Sequence, residues 1–288
     1  MTSPALTSPA AVRTRARRRT SAAGGAPGSA TGRPTRGTTN PNRLRRVERW
    51  IADGPLPSRV LRAADEPLVV DLGYGASPVT TVELARRLGR VHPRARVLGL
   101  EIDPARVAAA GYAAEPPRLE FRRGGFELGG TAPTLVRAFN VLRQYDESEV
   151  ADAWRTMLDR IAPGGLVVEG TCDEIGRLCS WVTLSAHGPV SLTLSCNVST
   201  LNRPSIVAER LPKALIHRNV PGERIHELLS TLDACWAAAA PHQAYGPRAR
   251  WVATAELLAA RGWPVRSRPA RLRLGELTVD WAAVAPGG

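Results

Sequence analysis

The chain has 288 residues, of which 43% are hydrophobic, so it can bury the core of one large domain. No apolar run reaches the length of a membrane span, and no hydrophobic segment follows the charged N-terminus as in a secretory signal, so we expect a cytoplasmic protein without membrane contact. The four cysteines show no C-x-x-C pairing and no histidine at zinc spacing, which predicts reduced thiols and no metal.

The net charge of +13 lies mostly in the first 49 residues. This stretch holds eleven arginines against the single carboxylate of Glu48, so only +3 remains for the rest of the chain. Residues 1–40 offer almost nothing to bury, which predicts a disordered, Arg-rich tail. Such a tail is either simply solvated or contacts nucleic acid or an anionic surface.

Beyond the tail, the hydrophobic periods predict strands that alternate with helices. A short helix with Leu44, Val47, Trp50 and Ile51 on one face comes first. The predicted strands and helices then follow in the order strand 67–72, helix 78–88, strand 95–102, strands 119–123 and 134–142, helix 146–161, strand 166–169. This order predicts an α/β fold with a doubly wound, mostly parallel sheet, whose ligands bind beyond the carboxyl ends of the strands.

The pattern changes after residue 171. Segments 181–185 and 191–198 predict an antiparallel hairpin, segments 204–240 and 253–260 are helical, and 271–284 alternates like a strand. We therefore divide the chain into the tail (1–40), a ligand-binding α/β domain (41–200) and a mixed hairpin and helical C-terminal extension that faces the substrate (201–288).

The first strand ends in Asp71-Leu72-Gly73-Tyr74-Gly75-Ala76-Ser77-Pro78. Glycines let a backbone approach a ligand closely, and Ser77 and Pro78 suit the N-cap and first turn of the next helix. A carboxylate at Asp71 would repel the pyrophosphate of a dinucleotide but attract a cation, such as the ammonium and sulfonium groups of S-adenosylmethionine (SAM).

This stretch resembles the first motif of the class I SAM-dependent methyltransferases, an acidic residue followed by x-G-x-G-x-G, with Ser77 in place of the last glycine. The resemblance covers roughly residues 67–170 and implies a Rossmann-like fold, SAM as cofactor and no metal. It places Asp71, Gly73, Tyr74, Gly75 and Ser77 at the cofactor.

Three later segments extend the resemblance. Glu101 ends the second strand, where the family's acidic residue binds the SAM ribose, and Ile102 would lie against the adenine. Gly125 stands where many members have an adenine-binding Asp, so the backbone of Gly125 and Phe126 could substitute. Asn140, in Asn-Val-Leu at the end of the fourth strand, could contact the cofactor or the incoming nucleophile.

These features predict a SAM-dependent methyltransferase, with a small molecule as the favoured acceptor. Methyl transfer needs alignment and a lone pair, and a base only when the acceptor must lose a proton. The candidate catalytic residues are Asn140, His217 and His226. Two alternatives stay open: an RNA methyltransferase that uses the basic tail, and a non-catalytic ligand-binding or partner protein that kept the fold.

Overall fold

The computed structural model describes Met1, residues 30–34 and residues 39–287. A single eight-stranded sheet forms the centre of this part of the chain. Its strands are β1 Leu68–Leu72, β2 Arg96–Glu101, β3 Leu119–Arg123, β4 Leu135–Phe139, β5 Leu166–Cys172, β6 Leu178–Ser185, β7 Gly188–Cys196 and β8 Glu276–Asp280. The helices are α1 Arg45–Asp53, α2 Pro55–Ala63, α3 Val79–Val91, α4 Pro104–Ala110, α5 Glu147–Leu158, α6 Lys213–Ile216, α7 Arg224–Ala238, α8 Pro247–Ala260 and α9 Pro269–Leu272.

The strands lie in the order β3-β2-β1-β4-β5-β6-β7-β8. The first five run parallel to one another, and β6, β7 and β8 continue the sheet as antiparallel neighbours. The prediction of a doubly wound, mostly parallel α/β sheet is therefore confirmed. The antiparallel part follows from chain length, because the short connections from β5 to β6 and from β6 to β7 cannot make a parallel crossover.

Each face of the sheet buries its own apolar cluster. On one face, α1 and α3 pack over Val69, Leu135 and Trp181. On the other, α5, α7 and α8 pack over Val70, Leu72 and the inward side chains of β6 to β8. Because side chains alternate along a strand, neighbouring residues of β1 serve opposite layers.

The C-terminal part departs from the predicted elements. The segment predicted as a strand over 271–284 contains the end of α9 and a strand only at Glu276–Asp280. Strand β8 pairs with β7, and residues as late as Val284 belong to the same apolar cluster as Val70. The extension thus packs on the sheet and adds a strand to it. None of the helices in the described part of the chain is long and apolar enough to cross a bilayer.

Two pieces of the predicted tail fall in the described residues, and both make specific contacts. Residues 30–34 pack against the loops that follow β3 and β4, and the Oγ1 of Thr39 donates a hydrogen bond to the carbonyl of Tyr74 at 3.1 Å. The side-chain amide of Asn40 donates a hydrogen bond to the carbonyl of Glu174 at 3.1 Å. The rest of the predicted disordered tail lies outside the described residues, and its disorder stays a prediction.

Candidate cofactor site

A crevice opens where the strand order reverses in the sheet, with β2 on one side of β1 and β4 on the other. At such a switch point, loops from the carboxyl ends of the strands diverge and leave room for a ligand. The crevice encloses about 260 Å³ of empty volume. It is lined by Thr31, Gly32, Arg33, Leu72, Gly73, Glu101, Ile102, Gly124, Gly125, Phe126, Val141 and Tyr145.

The turn after β1 forms the floor of this crevice. Gly73 and Gly75 have φ of 68° and 84°, a left-handed conformation that residues with a Cβ rarely adopt. The N–H of Gly73 donates to the carbonyl of Leu100 at 2.7 Å, which ties the turn to the end of β2. Helix α3 begins one residue later than predicted, with Pro78 at the N-cap, and the Oγ of Ser77 accepts from the N–H of Val79 at 3.4 Å.

Glu101 is the charged group at the centre of the crevice. Its side chain is 1% exposed, and its carboxylate accepts the N–H groups of Gly75 at 3.0 Å and of Ile102 at 2.9 Å. The guanidinium group of Arg106 lies 3.6 Å from the carboxylate. Backbone donors and a nearby cation hold the carboxylate in one orientation at the end of β2, as predicted for a group that binds hydroxyls.

An apolar slot lies beside Glu101. Ile102 forms one wall, and Phe126 packs at 5.4 Å between ring centroids on Tyr145. Gly125 has no side chain to narrow this slot, and its N–H donates to the Oε1 of Glu127 at 2.7 Å. The structure thus brings Gly73, Glu101, Ile102, Gly125 and Phe126 together, as the sequence predicted.

Asp71 does not join them. It lies beneath α3, 2% exposed, and both of its carboxylate oxygens accept from the guanidinium group of Arg137 at 2.8 and 2.7 Å. The hydroxyl of Thr81 donates to the same carboxylate at 2.6 Å. Arg137 neutralises the charge that was predicted to select a cationic ligand, so the role predicted for Asp71 at the cofactor does not hold in this geometry.

Tyr74 and Asn140 are not among the residues that line the crevice. The Tyr74 hydroxyl donates to the carbonyl of Arg106 at 3.4 Å, and burial, with the carboxylates of Glu101 and Asp71, raises the pKa of that phenol. Asn140 has a φ of 59°, and its Oδ1 accepts the N–H of Cys172 at 3.0 Å. That bond holds the ends of β4 and β5 together, so the carbonyl half of the Asn140 amide serves the fold.

The two candidate histidines lie away from the crevice. His217 is exposed at the end of α6, where its Nε2 is 3.1 Å from the Nζ of Lys213. His226 lies on α7, with its Nδ1 3.3 Å from the Oδ1 of Asn219. Neither side chain is among the groups that line the crevice.

Sequence reasoning missed Arg137 and the segment at residues 30–34. Arg137 had a signal, since a guanidinium group in the apolar strand Leu-Val-Arg-Ala-Phe needs a buried anion, and Asp71 faces it in register on β1. Residues 30–34 had none, because their contacts lie about a hundred residues further along the chain, as between Thr31 and Glu127.

No protein-family model and no curated protein matches this chain. Several solved structures match parts of it. A protein from Galdieria sulphuraria assigned as a sarcosine dimethylglycine methyltransferase matches at 16% identity, over 44% of this chain and 46% of that one, with a TM-score of 0.34. Magnesium protoporphyrin IX methyltransferase from Synechocystis, with bound S-adenosylhomocysteine (SAH), matches at 17% identity over 47% and 61%, with a TM-score of 0.33.

A TehB-like SAM-dependent methyltransferase from Corynebacterium glutamicum matches at 20% identity, over 45% of this chain and 70% of that one, with a TM-score of 0.30. In all three cases less than half of this chain is matched, and the first two matches span less than two thirds of the other protein. Matches at these scores say nothing about activity. Any inference about activity rests on the crevice of this chain.

Proposed function

We propose that this chain is a SAM-dependent methyltransferase with a small-molecule acceptor. The observation that carries the proposal is the buried carboxylate of Glu101, held by backbone N–H groups between the glycine turn and an apolar slot. A carboxylate in this position suits the two hydroxyls of a ribose, and the slot between Ile102 and Phe126 suits a flat base. The two features side by side suit an adenosyl group.

Each part of SAM has a matching group of residues in the crevice. Glu101 would hold the ribose, and Ile102 and Phe126 would enclose the adenine. The turn at Gly73 and Gly75 would lie against the methionine end, where only backbone can approach so closely. When bound, SAM supplies a methyl group on a sulfur that is already cationic, so the protein has to align the acceptor and exclude water.

The cover over the carboxyl end of the sheet supports a small acceptor. The Nε of Arg43 donates to the carbonyl of Asp173 at 2.9 Å, which draws the N-terminal segment across the end of β5. From the other side, Thr171 and Ser180 both donate to the carbonyl of Arg210. Segments from both ends of the chain thus close over this edge, which favours an acceptor that fits beneath them over a macromolecule lying across the sheet.

The test is calorimetry of the full chain with SAH, for the wild type and the Glu101→Gln variant. Glutamine keeps the size of the side chain but removes the charge that strengthens hydrogen bonds from hydroxyls, a loss of about 1.5–3 kcal/mol. We therefore expect the SAH dissociation constant of the variant to rise roughly tenfold to a hundredfold. Glu120→Gln is the matched control, because Glu120 pairs with Arg122 on β3 and does not line the crevice.

Equal affinity of wild type and Glu101→Gln would contradict the assigned role of Glu101, and binding of a dinucleotide in preference to SAH would contradict the function. Transfer of labelled methyl from SAM to a panel of small acceptors then distinguishes an enzyme from a binding protein. Binding of SAH without transfer to any acceptor, RNA included, would favour the non-catalytic alternative.

A further inference from the structure

The strap, which we define as residues 30–34, lies inside the crevice and not beside it. The carbonyl of Thr31 accepts the N–H of Phe126 at 2.9 Å, and the N–H of Thr31 donates to the Oε2 of Glu127 at 2.7 Å. One peptide edge of the strap therefore satisfies both a backbone donor and a carboxylate acceptor of the loop after β3. These are the polar groups at the mouth of the apolar slot.

Gly32 of the strap fills the slot itself. A Cβ added to Gly32 would lie 3.8 Å from Ile102 and from Phe126, and 3.1 Å from the hydroxyl of Tyr145. Its φ of 140° is accessible chiefly to glycine, so the strap enters the slot as bare backbone. Ile102 and Phe126 are the two side chains between which the proposed function places the adenine.

The strap also divides a larger space. A second cavity of about 710 Å³ opens on its far side, toward the first turns of α5. Thr31, Gly32 and Arg33 form a wall common to both cavities, so the strap separates the crevice from the open space beside α5. Movement of this wall would join the two spaces.

The strap presents to the loop the same groups that an adenine would. An adenine edge carries an amino donor next to a ring-nitrogen acceptor, as the peptide of Thr31 carries an N–H donor and a carbonyl acceptor. We propose that the strap is an autoinhibitory plug that competes with the adenosyl group for this slot, so that the cofactor binds only when the strap leaves. This inference rests on the proposed function.

The side chain of Arg33 anchors the strap through exposed contacts. Arg33 stacks its guanidinium group 4.8 Å from the centre of the Tyr145 ring and pairs with Glu149 at 2.9 Å. The side chains of this ion pair are 53% and 36% exposed, so solvent screens it strongly. A plug of this strength lowers the apparent affinity of the cofactor by the fraction of molecules in which the slot is open.

The experiment measures SAH binding to the full chain and to its Arg33→Ala variant, which loses the strap's side-chain anchor outside the slot. We expect the variant to bind SAH more tightly, by up to about tenfold, because a larger fraction of molecules has an open slot. Arg218→Ala is the matched control. Arg218 pairs with Glu147 on the same helix α5 at 2.6 Å but belongs to no part of the strap. The Arg218→Ala variant should therefore bind SAH as tightly as the wild type does.

Hydrogen exchange of residues 30–34 gives a second measurement, which does not require a dissociation constant for SAH. Saturating SAH should speed the exchange of this segment in the wild type, because the N–H of Thr31 loses its partner. Gly125→Ala should do the same without ligand, since the new Cβ would lie 2.0 Å from the carbonyl oxygen of Thr31 and prevent docking. Unchanged exchange in Gly125→Ala would overturn the docking itself.

The outcomes separate the two proposals. Equal SAH affinity in wild type and Arg33→Ala would overturn the plug and leave the proposed function standing. Weaker binding in Arg33→Ala, or slower exchange of residues 30–34 with SAH, would show that the strap closes over a bound cofactor and so overturn the plug as well. Failure of every variant to bind SAH would overturn both proposals together.

Discussion

Asp71 was predicted to contact a ligand, but in the structure it pairs with Arg137. The two side chains face each other in register on β1 and β4, 2% and 0% exposed, and Glu48 of α1 approaches the same guanidinium group at 3.4 Å. Burial opposes the charged form of Arg137, but the carboxylates of Asp71 and Glu48 outweigh burial and raise its pKa. The guanidinium group therefore stays charged and joins α1 to the centre of the sheet.

We expect Arg137→Met to lower the free energy of unfolding by about 3–5 kcal/mol, because it leaves the Asp71 carboxylate buried without a cation. Urea denaturation followed by tryptophan fluorescence measures the loss. The double variant Asp71→Leu with Arg137→Met is the control, and it should recover at least half of the stability, since the Asp71 charge is gone and Glu48 keeps Arg87 at 3.4 Å. A loss below about 1 kcal/mol in the single variant would contradict a buried charge pair.

Glu169 makes stability depend on pH. It lies inside β5 at 0% exposure, and neither carboxylate oxygen has a hydrogen-bond partner of normal geometry among the described residues. Burial raises the pKa of this carboxyl from 4.5 to about 8, with a small opposing effect of Trp154. The folded protein thus holds a proton that the unfolded chain releases, so the contribution is complete below about pH 4.5 and is lost as the pH rises toward 8.

The expected result is that wild type loses stability relative to Glu169→Gln between pH 5 and pH 8, by about 1.4 kcal/mol for each pH unit at most. Glutamine has the same shape but does not titrate. Urea denaturation of both proteins at pH 5, 6.5 and 8 gives the difference, in which the effects of all other titrating groups cancel. Parallel stability curves for the two proteins would show that Glu169 is already ionised in the fold.

At the scale of elements, local signals were sufficient for the parallel half of the sheet. Strand β3 occupies the predicted residues 119–123, and the carboxylate of Glu149 accepts the N–H of Asp146 at 2.8 Å, as in a capping box at the start of α5. Helix α2 was missed because Gly54-Pro55 was interpreted only as the end of α1, whereas proline is also favoured in the first turn of a helix.

The site divides in the same way. Glu101 ends β2, Ile102 follows it and Phe126 lies in the loop after β3, so their position at the carboxyl end of the sheet could be predicted from chain order. The partner of Asp71 is 66 residues away on another strand, so the residues around Asp71 give no sign that its carboxylate is already paired. The order of the strands does not reveal such pairings until their register is known.

Gly170 sets the distance between β5 and β6. It pairs with Trp181, a fully buried indole that packs edge-on against Trp50 at 5.4 Å. A Cβ on Gly170 would lie 2.2 Å from the carbonyl oxygen of Ser180 and 2.6 Å from the Cβ of Trp181. The two strands can therefore pair only if this residue has no side chain.

Gly170→Ala should destabilise the protein by about 1–3 kcal/mol, the usual cost of overpacking a core, and should change the fluorescence of Trp181. Gly111→Ala is the control, because no atom lies within 4 Å of the added Cβ. That variant should be neutral or more stable by about 0.4–1 kcal/mol. Similar thermal midpoints for the two variants would refute the close contact between β5 and β6.

At the scale of the whole molecule, the described chain is tied together at both ends of the sequence. Residues 30–34 and 39–43 lie along the carboxyl ends of the parallel strands. Strand β8 pairs with β7 and is the outermost strand on that side of the sheet. Trp154 of α5 packs edge-on against Trp281 at 5.9 Å, so a helix of the parallel half contacts the last residues of the chain. The apolar cluster that contains Val70 extends to Val284.

A chain with this continuous core should unfold in one step, despite the change in sequence pattern near residue 200. We expect far-UV circular dichroism and fluorescence to give coincident urea transitions. Fluorescence reports on both parts of the chain, because three tryptophans precede residue 200 and four follow it. A fragment of residues 1–200 should fail to fold, because it exposes the edge of β7 and the apolar side chains under α7 and α8. A monomeric, cooperatively folded fragment would instead make 201–288 a separate unit, and the substrate-facing role predicted for it would then be testable by adding that segment back in trans.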